Sequence, residues 1–105
     1  MSKRLAYLEK VTSEGSKDPF AWYGLAMEYG NLGRTDESLQ TFEKLRALDE
    51  TYVAMYLMCG NFLLKAGRAA EGKAWIEAGI AMAQKTGNSH ALSELQDALA
   101  GLDNH

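Results

Sequence analysis

Apolar positions along this chain recur in steps of three and four. Leu5, Leu8 and Val11 form one such stripe, and Trp22, Leu25, Ala26 and Tyr29 a second. Leu39, Phe42, Leu45 and Leu48 form a third, and Tyr56, Cys59, Gly60 and Leu63 a fourth. Such steps bring residues to one face of a helix, whereas a half-buried strand would alternate. The punctuation agrees with helices. Asp18 is a good N-cap because its carboxylate can accept from free first-turn amides, and Pro19 follows at the first helical position. Gly33 ends that helix, and Thr35 or Asp36 is expected to cap the next. Asp49, Glu50 and Thr51 break the chain, with Thr51 as the expected cap of a helix over 52–66. Gly67 then separates it from a helix over 69–85.

The stripes repeat. Shifted by 34 residues, Trp22 falls on Tyr56, Leu25 on Cys59, Ala26 on Gly60, Gly33 on Gly67, Arg34 on Arg68 and Glu37 on Glu71. The register also runs backwards, with Leu5, Leu8 and Val11 falling on Leu39, Phe42 and Leu45, and Glu9-Lys10 on Glu43-Lys44. One offset serving all these segments marks a true repeat. The predicted organisation is one domain over 1–105: a half-unit helix over 3–14, full units over 19–52 and 53–86, and a capping helix over 88–102. In the last helix strict register would bury Ser93, Glu94 and Asp97. One extra loop residue instead turns Ala91, Leu95 and Ala98 inward, which avoids burying unpaired polar groups. Ser89 is the expected cap there, and the match of Gly101 to Gly67 becomes accidental.

Two helices per unit of 34 residues, with an aromatic, a leucine, a small residue and a tyrosine in the first helix, resemble the tetratricopeptide repeat. The segment 18–49, DPFAWYGLAMEYGNLGRTDESLQTFEKLRALD, carries the pattern closely. The second unit carries it more loosely, with Tyr56, Gly60, Gly67 and Ile76 in place and Cys59 replacing a leucine. Glu50 and Gln84 stand where proline is usual, and Ser38 and Gly72 where alanine is. The resemblance implies an all-α solenoid, a right-handed superhelix of about six helices in antiparallel pairs. Its first helices would line a concave groove that takes a peptide or helix of a protein partner, without catalysis.

Composition narrows the rest. The 105 residues hold 11 basic and 14 acidic side chains, a net charge of −3, which disfavours phosphate-backbone binding and so nucleic acid. No apolar run approaches a membrane span. The single cysteine excludes a disulfide scaffold and suggests a cytoplasmic setting. Gly67 to Lys73 nearly spells a phosphate-binding loop, but Ala74 offers no hydroxyl and the register places Gly67 at a helix–helix turn. His90, His105 and Cys59 make no three-ligand metal site. Cys59 reads as a core hydrophobe, Trp22 and Tyr56 as core at their spacings, and Trp75 as packing. We expect no catalytic residue, metal or cofactor.

The groove then carries the functional expectation. Its candidate lining is Phe20, Tyr23, Met27 and Asn31 on one first helix, with Leu57, Met58, Asn61, Leu64 and Lys65 on the next. Gly24 and Gly30 are expected to leave room beside Tyr23 and Met27. Family members that grip a C-terminal carboxylate use Lys, Asn and Arg in such places. Only Asn61 and Lys65 are comparable here, so an apolar peptide or amphipathic helix fits better. The alternative is a homo-oligomer, a homodimer for instance, whose groove is filled by a second copy.

Overall fold

A computed structural model describes residues 3–103. His105, set aside above with His90 and Cys59 as an incomplete metal site, lies outside them. Among the described residues there are six α-helices and no strand: α1 Lys3–Ser13, α2 Pro19–Asn31, α3 Thr35–Leu48, α4 Ala54–Lys65, α5 Ala69–Thr86 and α6 Ser89–Asp103. The chain parts into two compact units, Met1–Asp49 and Glu50–His105.

In the first unit α2 packs between α1 and α3. The Asp18 carboxylate accepts from the Phe20 amide at 3.0 Å and Pro19 follows it, as the sequence indicates. Gly33 turns the chain with φ +76°, a conformation costly for any other residue. Neither Thr35 nor Asp36 caps α3. Arg34 holds the cap position without a side-chain acceptor, and its guanidinium instead clasps Glu37 at 2.6 and 2.7 Å while lying 4.7 Å above the Tyr29 ring. Arg68 and Glu71 repeat the clasp ahead of α5 at 2.8 and 2.9 Å, so the paired glycine–arginine–glutamate spacing is a device for starting the second helix.

The α2–α3 seam runs antiparallel. The Ser38 hydroxyl donates to the Ala26 carbonyl at 2.8 Å, and Tyr23 meets Phe42 edge-on at 6.4 Å. Ala26, Phe42, Leu45 and Leu25 form the buried centre. Leu48, expected inward, is 42% exposed because α3 has by then reached the level of the first turn of α2. Trp22 is only half-buried, and its indole N–H donates to the Ser16 carbonyl at 2.7 Å. On α1, Leu5 and Leu8 are buried and Val11 half-buried. Thr12, a polar residue the stripe omits, is buried too, its hydroxyl satisfied by the Leu8 carbonyl at 2.8 Å.

Tyr29 ties α2 to α1 by donating its hydroxyl to Glu9 Oε2 at 2.6 Å. Burial and the neighbouring Glu9 carboxylate push its pKa from 10.0 up to about 12. The folded chain therefore keeps this proton where the unfolded chain releases it. The stabilisation is fully present below pH 10 and is lost as the pH rises towards about 12. Chemical-denaturation midpoints followed through that window should fall more steeply for the wild type than for Tyr29→Phe.

In the second unit α4 and α5 approach closely over glycines. A Cβ on Gly60 would stand 2.7 Å from Ile76 Cγ1, and one on Gly72 would stand 3.0 Å from the Gly60 carbonyl oxygen. Tyr56, Met55, Cys59, Leu63, Ile76 and Leu95 are almost wholly buried. Tyr56 packs at 5.9 Å from Trp75, which is 9% exposed, and its hydroxyl donates to the Glu50 carbonyl at 2.6 Å. Trp75 is thus a packing residue. The N-cap position of α4 is Val53, not the expected Thr51, and Val53 carries no side-chain cap bond. For α6 the cap is Asn88 rather than Ser89: the Asn88 Oδ1 accepts from the Ala91 amide at 3.0 Å. The one-residue insertion holds. Leu95 is buried, Ser93, Glu94 and Asp97 are exposed, and Gly101 lies inside α6 away from the positive φ of Gly33, Gly67 and Gly87.

Candidate functional site

The chemistry-bearing decoys dissolve first. Gly67 is a turn at φ +81° between α4 and α5, and Gly72 is buried in a helix seam, so this glycine run forms no phosphate cradle. Cys59 is a buried cysteine outside any disulfide, at 1% exposure. His90 is exposed with Nε2 at 3.1 Å from Glu94. Among the described residues no group of three His, Cys, Asp or Glu could hold a metal ion.

The candidate lining of the first unit lies on α2. Phe20 is 66% exposed and Asn31 is exposed, while Tyr23 and Met27 are half-buried. Tyr23 spends one ring edge on Phe42. The room expected beside Gly24 is not there: Leu8 and Arg4 of α1 come within 3.4–3.5 Å of the position a Cβ would take. Gly24 serves the approach of α1 to α2, which Arg4 reinforces through Glu28 at 3.0 Å.

In the second unit the candidates lie on α4. Asn61 and Lys65 are exposed, and Leu57, Met58 and Leu64 are half-buried. Leu64 lies over Gly72 on α5, so part of its surface belongs to the helix seam. Leu57 and Met58 sit beside the wholly buried Tyr56 and Cys59 on the same helix.

Sequence reasoning passed over one feature. Between α1 and the start of α2 lies an open cleft of about 460 Å³, lined by Tyr7, Leu8, Val11, Phe20 and Ala21 with Arg4, Ser16 and Asp18 at its polar edge. Tyr7 and Phe20 flank it at 64% and 66% exposure. Its signal was present in the register, where Tyr7 falls on Thr41 and Trp75.

These features define an all-α helical-repeat protein. The pattern of the tetratricopeptide repeat matches residues 21–52. A tetratricopeptide repeat domain protein from Salinibacter ruber, solved in solution, is 33% identical, with a TM-score of 0.73 over 80% of this chain and 85% of that one. The chain belongs to the tetratricopeptide repeat family. A protein from Bordetella parapertussis, also solved in solution, superposes with a TM-score of 0.84 over 99% of this chain and 90% of that one, at 25% identity. The Yersinia enterocolitica type III secretion translocator chaperone SycD, in an alternative dimer, shares the fold with a TM-score of 0.76 over 96% of this chain and 80% of that one, at 14% identity. No curated protein matches the sequence. Among the described residues no helix is long and apolar enough to cross a membrane.

Proposed function

We propose that this chain is a non-enzymatic protein-interaction module whose first-helix faces take an apolar peptide or amphipathic helix of a protein partner. The observation that carries this reading is the pair of half-exposed apolar residues on α4, Leu57 and Met58, next to exposed Asn61 and Lys65. Tyr23 and Met27 with exposed Phe20 and Asn31 offer a face of the same kind on α2. Apolar residues left at the surface with polar neighbours suit partner recognition, and methionine adapts to irregular partner surfaces. The fold supports the reading, because helical repeats present extended side-chain faces rather than preorganised catalytic groups. The lone buried thiol suits a cytoplasmic setting.

A display library of amphipathic helical peptides tests it. Peptides selected by the wild type should bind Leu57→Asp at least about tenfold more weakly, a loss of about 1.4 kcal/mol or more. Thermal melting of the variant should stay cooperative, because Leu57 is only half-buried. Peptides that bind wild type and Leu57→Asp equally would refute the assignment of the α4 face. Selected peptides carrying only charge and no apolar stripe would refute the partner chemistry.

A further inference from the structure

The repeat register allows one face to be compared in three copies. Ser38, Thr41, Phe42 and Leu45 on α3 fall on Gly72, Trp75, Ile76 and Gly79 on α5. All eight are buried. They pack on the first helix of their own unit, as the Ser38–Ala26, Phe42–Tyr23, Trp75–Tyr56 and Ile76–Gly60 contacts show. The corresponding residues of α1 are Arg4, Tyr7, Leu8 and Val11, and all four line the open cleft. Tyr7, the counterpart of buried Thr41 and Trp75, is 64% exposed. The cleft therefore has the address of a first helix, and among the described residues nothing occupies it.

The same chain carries a helix suited to that address. α6 packs on α5 as a first helix does, through Leu95 against Gly79, and among the described residues no second helix follows it. Leu92, Leu99 and Leu102 continue its apolar stripe and stay half-buried. The two helices also carry opposite overall charge, while the charged lining of the cleft itself is Arg4, paired with Glu28, and Asp18. α1 exposes Lys3 and Lys10, while its one acidic residue, Glu9, is engaged by Tyr29. α6 exposes Asp97 and Glu94, the latter 3.1 Å from His90 of the same helix, and contains no lysine or arginine. We propose that α6 of a second copy occupies the α1–α2 cleft, so that a first helix from one molecule and a second helix from another complete one repeat unit. The contact is heterologous: each copy has one cleft to offer and one α6 to donate. It is separate from partner binding at Leu57 and Met58 on α4, while Phe20 belongs both to the α2 face and to the cleft.

Sedimentation equilibrium of the 105-residue chain, from dilute to near-millimolar, tests the proposal. The weight-average mass should rise above 11.6 kDa with concentration, and less steeply at high salt. Tyr7→Glu, at an exposed position, should keep its melting temperature and stay monomeric. Leu99→Asp should also be monomeric, and Glu94→Lys with Asp97→Lys repeats that test at fully surface positions should Leu99→Asp melt early. The decisive sample is an equimolar mixture of Tyr7→Glu with the α6 variant. The first still donates an intact α6 and the second still offers an intact cleft, so the mixture should form a 1:1 dimer that neither forms alone. Wild type that stays monomeric throughout would overturn the proposal and leave the cleft to a different partner. Tyr7→Glu that associates like wild type, or a mixture that stays monomeric, would overturn it equally.

Discussion

Replacing Tyr56 by alanine should lower the unfolding free energy by about 3–5 kcal/mol, as large aromatic truncations in packed cores do. Tyr56 has no exposed surface, packs tilted against Trp75 at 5.9 Å, and has its Cβ at the crossing with Gly79. Domains of this size are stable by only about 5–15 kcal/mol, so the loss would take a large share of the total. Tyr56→Phe separates ring from hydroxyl. It keeps the ring and forfeits the 2.6 Å bond to the Glu50 carbonyl, at a cost of about 1 kcal/mol. Urea denaturation of the two variants gives both numbers. Trp22→Ala, at the equivalent repeat position, should cost less than Tyr56→Ala because Trp22 is only half-buried. If the two alanine variants lose equal stability, Tyr56 is not the centre of its unit's core.

The second large effect comes from adding atoms. Gly79→Val should destabilise by about 3 kcal/mol, the upper end of overpacking costs, despite the better helix propensity gained. A Cβ there would stand 2.5 Å from Tyr56 Cβ and 2.9 Å from Leu95 Cδ2. The tyrosine Cβ is fixed to its backbone and cannot swing aside, so α5 must move away from α4. Gly101→Ala provides the control. Nothing lies within 4 Å of its added carbon, and a glycine-to-alanine change inside a helix should stabilise by about 0.5–1 kcal/mol. Thermal melts of the two proteins should therefore shift in opposite directions. A Gly79→Val protein as stable as the wild type would show that α4 and α5 are not held at this spacing.

The helices themselves were legible in residue spacing because a buried stripe must recur every three to four positions. Gly33 and Gly67 were legible for a different reason: both adopt positive φ, and glycine is the residue that does so cheaply. The caps of α3, α4 and α6 were read less well. Thr35, Thr51 and Ser89 all have the right chemistry, but the cap is whichever residue stands at the turn when the helix starts. At α6 that residue is Asn88, and at α3 it is Arg34, clasped to Glu37. The candidate faces on α2 and α4 follow from the repeat period, while the space beside Gly24 did not, because α1 fills it.

What the sequence determined alone is therefore whatever depends on neighbours within one helix turn or on the 34-residue register: six helices, their breaks, and the inserted residue before α6. What only the tertiary structure decided is how much of each apolar residue its neighbours cover. Trp22 and Tyr56 occupy one register position, yet one is half-buried and the other fully buried. Tyr7 and Trp75 share another, and Tyr7 stands open on its cleft. Burial depends on which helix lies opposite, and periodicity within one helix carries no information about whether that opposite helix is present.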